Sequence, residues 1–157
     1  MPPGNPPPPV RKRIYTVGHS TRSFEDLVQV LVAHGVEQVV DVRRFPTSRR
    51  MPWFNREHLA QALPQRGIVY VWLGDLLGGY RRGGYPAYMQ TQAFQRGIRR
   101  LVLLANERPT ALLCAELLWF RCHRRFIADA LCRQGWQVVH LFDERRSQVH
   151  PCQREVL

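Results

Sequence analysis

A few short stretches of the chain carry side chains able to move a proton, attack an electrophile or hold an anion. One is Gly18-His19-Ser20-Thr21-Arg22, where glycine permits a tight turn and a following helix start leaves backbone N–H groups free to bind an anion. His19 is read there as a proton-transfer group or, with Ser20, as a phosphate ligand; the competing reading is a polar cap that only satisfies the loop. Another is Asp41-Val42-Arg43-Arg44-Phe45-Pro46. Alternation sends Asp41 and Arg43 to one side. Asp41 can then orient Arg43 or His19, while Arg43 offers a planar fork to phosphate or carboxylate. An internal salt bridge that fixes the loop is the alternative. Further on, Arg49-Arg50 precede Met51, Pro52, Trp53, Phe54 and Asn55. Arg49 is read as a phosphate contact and Trp53 or Phe54 as a surface for an unpaired base, with burial of at least one ring expected.

The most informative stretch is Cys114-Ala115-Glu116, followed by Cys122-His123-Arg124. Cys114 is a candidate nucleophile if positive neighbours or a helix terminus lower its pKa, with Glu116 or His123 moving protons; a small buried residue is the other reading. Glu116 follows a buried strand and needs a cation or hydrogen-bonding partner, for which Arg43, His19 and Arg124 are the candidates. Catalytic roles therefore fall to His19, Asp41, Cys114 and Glu116. Substrate or phosphate contacts fall to Ser20, Arg43, Arg49, Phe54, Asn55, Cys122, His123 and Arg124. A metal site built from Cys114, Cys122, His123 and His19 is disfavoured, because adjacent residues diverge by about 100° on a helix and there is no C-x-x-C pair. No cofactor is expected. Cys132, Cys152, His140 and His150 form no comparable constellation and read as structural or exposed.

The elements that position these residues alternate. Arg13–Val17 reads as a strand and Ser23 opens a helix with Phe24, Leu27, Val28, Leu31 and Val32 on one face, closed by His34-Gly35. Val36–Val42 is a second strand, Asn55 caps a helix through Leu63, and Ile68–Trp72 is a third strand. The stretch from Gly74 to Gln90, with Tyr80, Tyr85 and Tyr88 among its glycines, reads as a long binding loop. A helix at Thr91–Asn106, a strand at Thr110–Ala115, a helix from about Arg121 to Gln134 and a strand at Trp136–Phe142 complete the alternation. This predicts an α/β fold: one three-layer domain over residues 13–146, with a mainly parallel five-stranded sheet and helices on both faces, Rossmann-like or flavodoxin-like. Residues 1–12 are expected to form a disordered Pro-rich tail and 147–157 a C-terminal tail. The polar loops after the strands then share one rim, where such sheets bind ligands.

Composition narrows the function classes. A chain of 157 residues at 45% hydrophobic content supports one buried core, and its apolar runs are too short to span a membrane. Cys114, Cys122, Cys132 and Cys152 are too few and too unevenly spread for a disulfide framework, and no secretory leader precedes them, so a reducing cytoplasm is expected. A net charge of +11 would attract polyanions, nucleic acid among them, although the cations are almost all arginine and a basic solvated surface explains them equally well.

Taken together, the segments resemble the domain-of-unknown-function 488 family. The matching pieces are Tyr15-Thr16-Val17-Gly18-His19-Ser20-Thr21, Val40-Asp41-Val42-Arg43, Phe45-Pro46 with Ser48-Arg49, and Phe54-Asn55. They continue with Leu73-Gly74, Leu77-Gly78-Gly79, and Cys114-Ala115-Glu116 with Cys122-His123-Arg124. Trp119 departs from the family pattern, which carries a proline there. The resemblance implies a compact α/β domain with a shared rim site and names no reaction. The leading expectation is a nucleic-acid-binding protein, an enzyme acting on a base or phosphodiester, with DNA or RNA as partner, Arg43 and Arg49 on phosphate, and Glu116 or Asp41 as general base. The alternatives are an enzyme with Cys114 as nucleophile on a small phosphorylated or sulfur-bearing anion, and a noncatalytic interaction domain using the Tyr80–Tyr88 loop.

Overall fold

The computed structural model describes residues 12–152; of the tail expected over residues 1–12, all but Lys12 lies outside them. β1 (Arg13–Gly18) leads into α1 (Phe24–Ala33), whose N-cap Ser23 accepts a hydrogen bond from the Asp26 N–H at 3.0 Å. β2 (Gln38–Asp41), α2 (Arg56–Ala62) and β3 (Val69–Trp72) follow. The stretch expected as one long loop contains two short helices, α3 (Gly74–Leu77) and α4 (Tyr85–Tyr88). The Tyr85 and Tyr88 hydroxyls donate to the carbonyls of Leu77 and Leu76 at 2.7 and 2.6 Å, which ties this stretch to itself. α5 (Gln92–Glu107), capped by Thr91, β4 (Thr110–Cys114), α6 (Arg124–Arg133), β5 (Gln137–Leu141) and β6 (Ser147–Val149) complete the chain.

The sheet has six strands in the order β3-β2-β4-β1-β5-β6. Its first five are parallel and β6 returns antiparallel beside β5, pairing Val149 with Val139. The sixth strand lies within the expected tail. Its three residues are all exposed and carry no alternation that a sequence could show. β4, not β1, lies beside β2, which separates this order from the dinucleotide-binding and flavodoxin-like ones.

Alternation along the strands divides the core into two layers. Ile14, Val40, Leu112, Cys114 and Val138 face α5 and α6 through Phe94, Ile98, Leu101, Ile127 and Leu131. Val17, Val39, Ala111, Leu113 and Leu141 face α1 and α2 through Leu27, Leu31 and Leu59. Among the described residues no helix is long and apolar enough to cross a membrane.

The C-terminal edge is fastened to α6 twice. Cys132 and Cys152 form a disulfide, correcting the expectation of unpaired cysteines; the pairing follows from the antiparallel return of the chain, which their spacing does not reveal. His140 and His150, expected to have no constellation, belong to a chain of hydrogen bonds. Thr16 Oγ1 lies 2.6 Å from His140 Nδ1, His140 Nε2 lies 2.9 Å from His150 Nδ1, and His150 Nε2 lies 2.7 Å from Asp129 Oδ1. With Asp129 ionised, one set of tautomers satisfies every atom: Thr16 donates to His140, His140 to His150, and His150 to Asp129. Trp119 stacks on His140 at 4.6 Å and donates from Nε1 to Gln148 Oε1 at 3.0 Å, so it closes this chain from outside.

His150→Ala leaves the buried Nε2–H of His140 without an acceptor, and the expected loss in denaturant unfolding is about 1–3 kcal/mol. A change below about 0.5 kcal/mol, the range of an ordinary surface substitution, would refute the chain's structural role.

Candidate active site

The loops after β1, β2 and β4 meet at the carboxyl ends of the parallel strands, but the polar residues expected as one site form two groups. Asp41 is in register with Leu113, which faces α1 and α2; Cys114, one residue further, faces α5 and α6. The Asp41 carboxylate and the Cys114 thiol therefore take opposite faces of the sheet, while Arg43, bonded to Asp41, reaches the cavity that Cys114 borders.

In the first group Asp41 is fully buried and saturated. Its Oδ1 accepts from the Arg43 backbone N–H at 3.0 Å and from Arg43 Nε at 2.9 Å, while Oδ2 accepts from Arg43 Nη2 at 2.7 Å and from the Tyr70 hydroxyl at 2.6 Å. A carboxylate with both oxygens committed is a brace, so the general-base role considered for Asp41 is not supported. Arg43 Nη2 also donates to the Phe54 carbonyl at 2.7 Å. Phe54 is fully buried and stacks on His19 with ring centroids 4.4 Å apart, while Trp53 is half-buried and donates from Nε1 to the Arg22 carbonyl. Neither presents the open ring a base would need. The Asn55 Oδ1 accepts from the Ser48 N–H at 2.7 Å and makes no helix-capping bond, so it folds the 44–51 loop. Arg49 is exposed.

His19 and Ser20 use their backbone N–H groups to extend the β1–β4 ladder, donating to the carbonyls of Cys114 and Ala115 at 2.8 and 2.9 Å. These donors are not free for an anion. Burial holds His19 neutral, lowering its pKa from 6.5 to about 4. Its Nδ1 faces the Ser20 carbonyl at 2.9 Å, so Nδ1 carries the proton. A neutral imidazole does not supply the cation a phosphate needs.

The second group surrounds a cavity of about 260 Å³ lined by Arg43, Arg44, Gly79, Tyr80, Cys114, Ala115, Glu116, Arg121, Cys122 and His123. Cys114 is 1% exposed, and burial pushes its thiol well up. Cys122 is only partly buried and is pushed in the opposite direction. The Cys114 thiol neighbours it, with its own S–H directed to the Glu116 carbonyl at 3.5 Å; His123 Nδ1 lies 3.5 Å away, and the Arg124 N–H at the start of α6 points toward it. His123 Nε2 is 2.8 Å from the Val42 carbonyl, which fixes a proton on Nε2 and leaves Nδ1 to exchange one with the sulfur. Gly79 packs against this ring: a Cβ there would come within 3.3 Å of Nδ1.

Two further glycines set the distances between these loops. A Cβ on Gly18 would lie 1.8 Å from the Glu116 carbonyl oxygen, and one on Gly74 1.9 Å from that of Arg43. Arg124 is buried at the head of α6, where its Nη2 donates to the carbonyls of Glu116 and Leu117 at 2.9 and 2.8 Å. It holds the 115–118 loop and does not face the cavity as a phosphate ligand. Its Nε and Nη1 are buried without a hydrogen-bonding partner, and its charge favours an anion in the neighbouring thiol pair. The Glu116 side chain is exposed at the cavity edge; water solvates it, so it does not require the cation expected from sequence.

Fold and rim together define a mainly parallel α/β protein with a basic, thiol-lined cavity at its strand ends. The chain matches the model of the family described as Domain of unknown function DUF488 over residues 23–131, and it belongs to that family. Comparisons with curated proteins and with solved structures give no match.

Asp41→Asn removes the charge that compensates buried Arg43 and is expected to cost about 3–5 kcal/mol in denaturant unfolding; a loss under 1 kcal/mol would show that the pair is not the brace described. For His19 the unfolded chain binds a proton between pH 6.5 and about 4 while the native state does not, so stability declines as pH falls through that window. His19→Gln should flatten this part of the stability–pH curve. An unchanged slope in that variant would mean that His19 is not held neutral.

Proposed function

We propose that this protein is a thiol enzyme in which Cys122 attacks a small phosphorylated or sulfur-bearing anion seated in the rim cavity. The observation that carries the reading is the setting of the Cys122 sulfur: at the cavity wall, before the first turn of α6, beside the His123 ring and the Cys114 thiol. The nucleophilic role considered for Cys114 passes to its neighbour, because Cys114, although it borders the cavity, is almost fully buried with its thiol pushed up, whereas Cys122 is more exposed.

In this reading the proton leaving Cys122 moves to His123 Nδ1, and the Val42 carbonyl keeps that imidazole aligned. The thiolate forms a bond to the electrophilic phosphorus, or to the fully oxidised sulfur of a sulfate ester, as the leaving group departs, and His123 returns its proton to that group. Water then cleaves the new bond and restores the thiol. Glu116, at the cavity edge, is the carboxylate available to take a proton from that water, and Arg44 and Arg121 border the space where anionic oxygens would lie. Arg43 lines the cavity too, with its charge offset by Asp41.

The test is alkylation by iodoacetamide across a pH series, with each cysteine followed by peptide mass spectrometry. Cys122 is expected to keep reacting at pH values well under the ~8.5 of a free thiol, and His123→Ala and Cys114→Ala should both move its profile upward. A Cys122 that titrates like a free thiol would overturn the assignment and favour a noncatalytic domain, and a folded protein in which Cys114 reacts first would overturn it in favour of Cys114 as the nucleophile.

A further inference from the structure

Water-exposed aromatic rings are costly unless something covers them, and here two of them pair at the cavity mouth. Among the described residues the exposed aromatic side chains are Phe45, Tyr80 and Phe120, at 65%, 87% and 47%. Tyr80 lines the cavity mouth, Phe45 lies beside it with ring centroids 6.2 Å apart, and Phe120 adjoins Arg121 of the cavity wall. They come from separate parts of the chain: the loop after β2, the segment between α3 and α4, and the turn before α6.

The arrangement is held in place. The Arg44 guanidinium covers the Phe45 ring at 5.3 Å and its Nη1 donates to the Tyr80 carbonyl at 2.6 Å. Tyr80 itself adopts φ +59, a left-handed conformation uncommon outside glycine, which the Arg44 bond secures. The Phe45 and Tyr80 rings touch, so a planar ligand cannot slide between them, but the open face of Tyr80 is a platform. Arg44 and Arg121 border the cavity beside it, and the chain carries a net charge of +11.

A flat π-surface beside arginines suits a ligand that is an aromatic ring joined to phosphate. We infer that the cavity mouth binds a nucleobase–phosphate ligand, the base stacked on Tyr80 and the phosphate drawn to Arg44 and Arg121, so that the electrophile offered to Cys122 belongs to a nucleotide or to single-stranded nucleic acid. The inference deepens the thiol-enzyme reading by naming its substrate class, and it replaces Trp53, Phe54 and Arg49 with residues that are open at the cavity.

The experiment is fluorescence anisotropy with labelled single-stranded DNA, single-stranded RNA and duplex DNA over a salt series, with unlabelled AMP, dTMP and inorganic phosphate as competitors. Tyr80→Ala is expected to weaken single-strand binding by about ten-fold at fixed salt with little change in salt slope, and Tyr80→Phe to keep it. Arg44→Ala and Arg121→Ala should each lower the slope of log affinity against log salt by about 0.7. Competition by mononucleotides at concentrations where inorganic phosphate has no effect identifies a free nucleotide as the source of the chemistry; binding that needs the oligomer identifies nucleic acid. Affinity unchanged in Tyr80→Ala, equal competition by phosphate, or a Tyr80-dependent dimer in light scattering would overturn the inference. Comparison with the wild-type alkylation profile separates the two proposals: a reactive Cys122 without nucleotide binding defeats only the ligand assignment, and binding beside an unreactive Cys122 defeats only the enzyme reading.

Discussion

The buried pair of Asp41 and Arg43 is the constraint on which the rim depends. It closes the end of β2 on itself through three hydrogen bonds, and Tyr70 from the adjacent strand adds a fourth to the same carboxylate. Replacing such a pair by apolar residues of similar volume often costs nothing, so its value lies in geometry more than in stability. With Asp41 fixed, the main chain at residues 42 and 43 presents its carbonyls at set positions, one to His123 Nε2 and the other to Trp72 Nε1 at 2.8 Å. The orientation of His123, and with it the environment of Cys122, thus traces back to a carboxylate on the opposite face of the sheet. The two groups of polar residues are joined by Arg43, which pairs with Asp41 and borders the thiol cavity.

Much of the fold was legible because the helices and parallel strands announce themselves by period and cap. Ser23 and Thr91 cap the helices that their positions suggest, and the buried runs at 38–41 and 110–114 are continuous apolar strands broken only where function or bracing requires it. What escaped is non-local. Nothing in the spacing says that β4 inserts between β1 and β2, and that register decides which face Cys114 takes relative to Asp41. Burial within the segments named for chemistry was not legible either: Phe54 is inside and Phe45 outside, though each stands in an arginine-rich loop. The Cys122-His123 neighbours were set aside as a metal pair because they diverge on a helix. In the structure they precede the helix, where their side chains can approach.

The family pattern and its exception have physical counterparts. The Gly74-to-Gly79 segment is glycine-rich because the backbone of residues 43–44 and the His123 ring press against it, leaving no volume for a side chain. Trp119, which departs from the pattern the resemblance implied, holds its turn by packing on His140 and bonding Gln148. A residue of the site-forming loop is thereby attached to the C-terminal edge, which the disulfide and the Asp129–His150 contact secure to α6. The thiol-bearing loop and the last strand share a support.

The strand order also governs how the chain can be assembled during synthesis. β1 is made first, yet its neighbours are β4 and β5, with Tyr15 pairing with Ala111 on one side and Val139 on the other. Until those strands leave the ribosome β1 has no partner, and of the early strands only β2 and β3 can pair. Loop closure over such separations makes nucleation slow, and an unpaired apolar strand is exposed to association meanwhile. The centre of the sheet, and the thiol site at its rim, is therefore completed late, after nearly the whole chain has emerged.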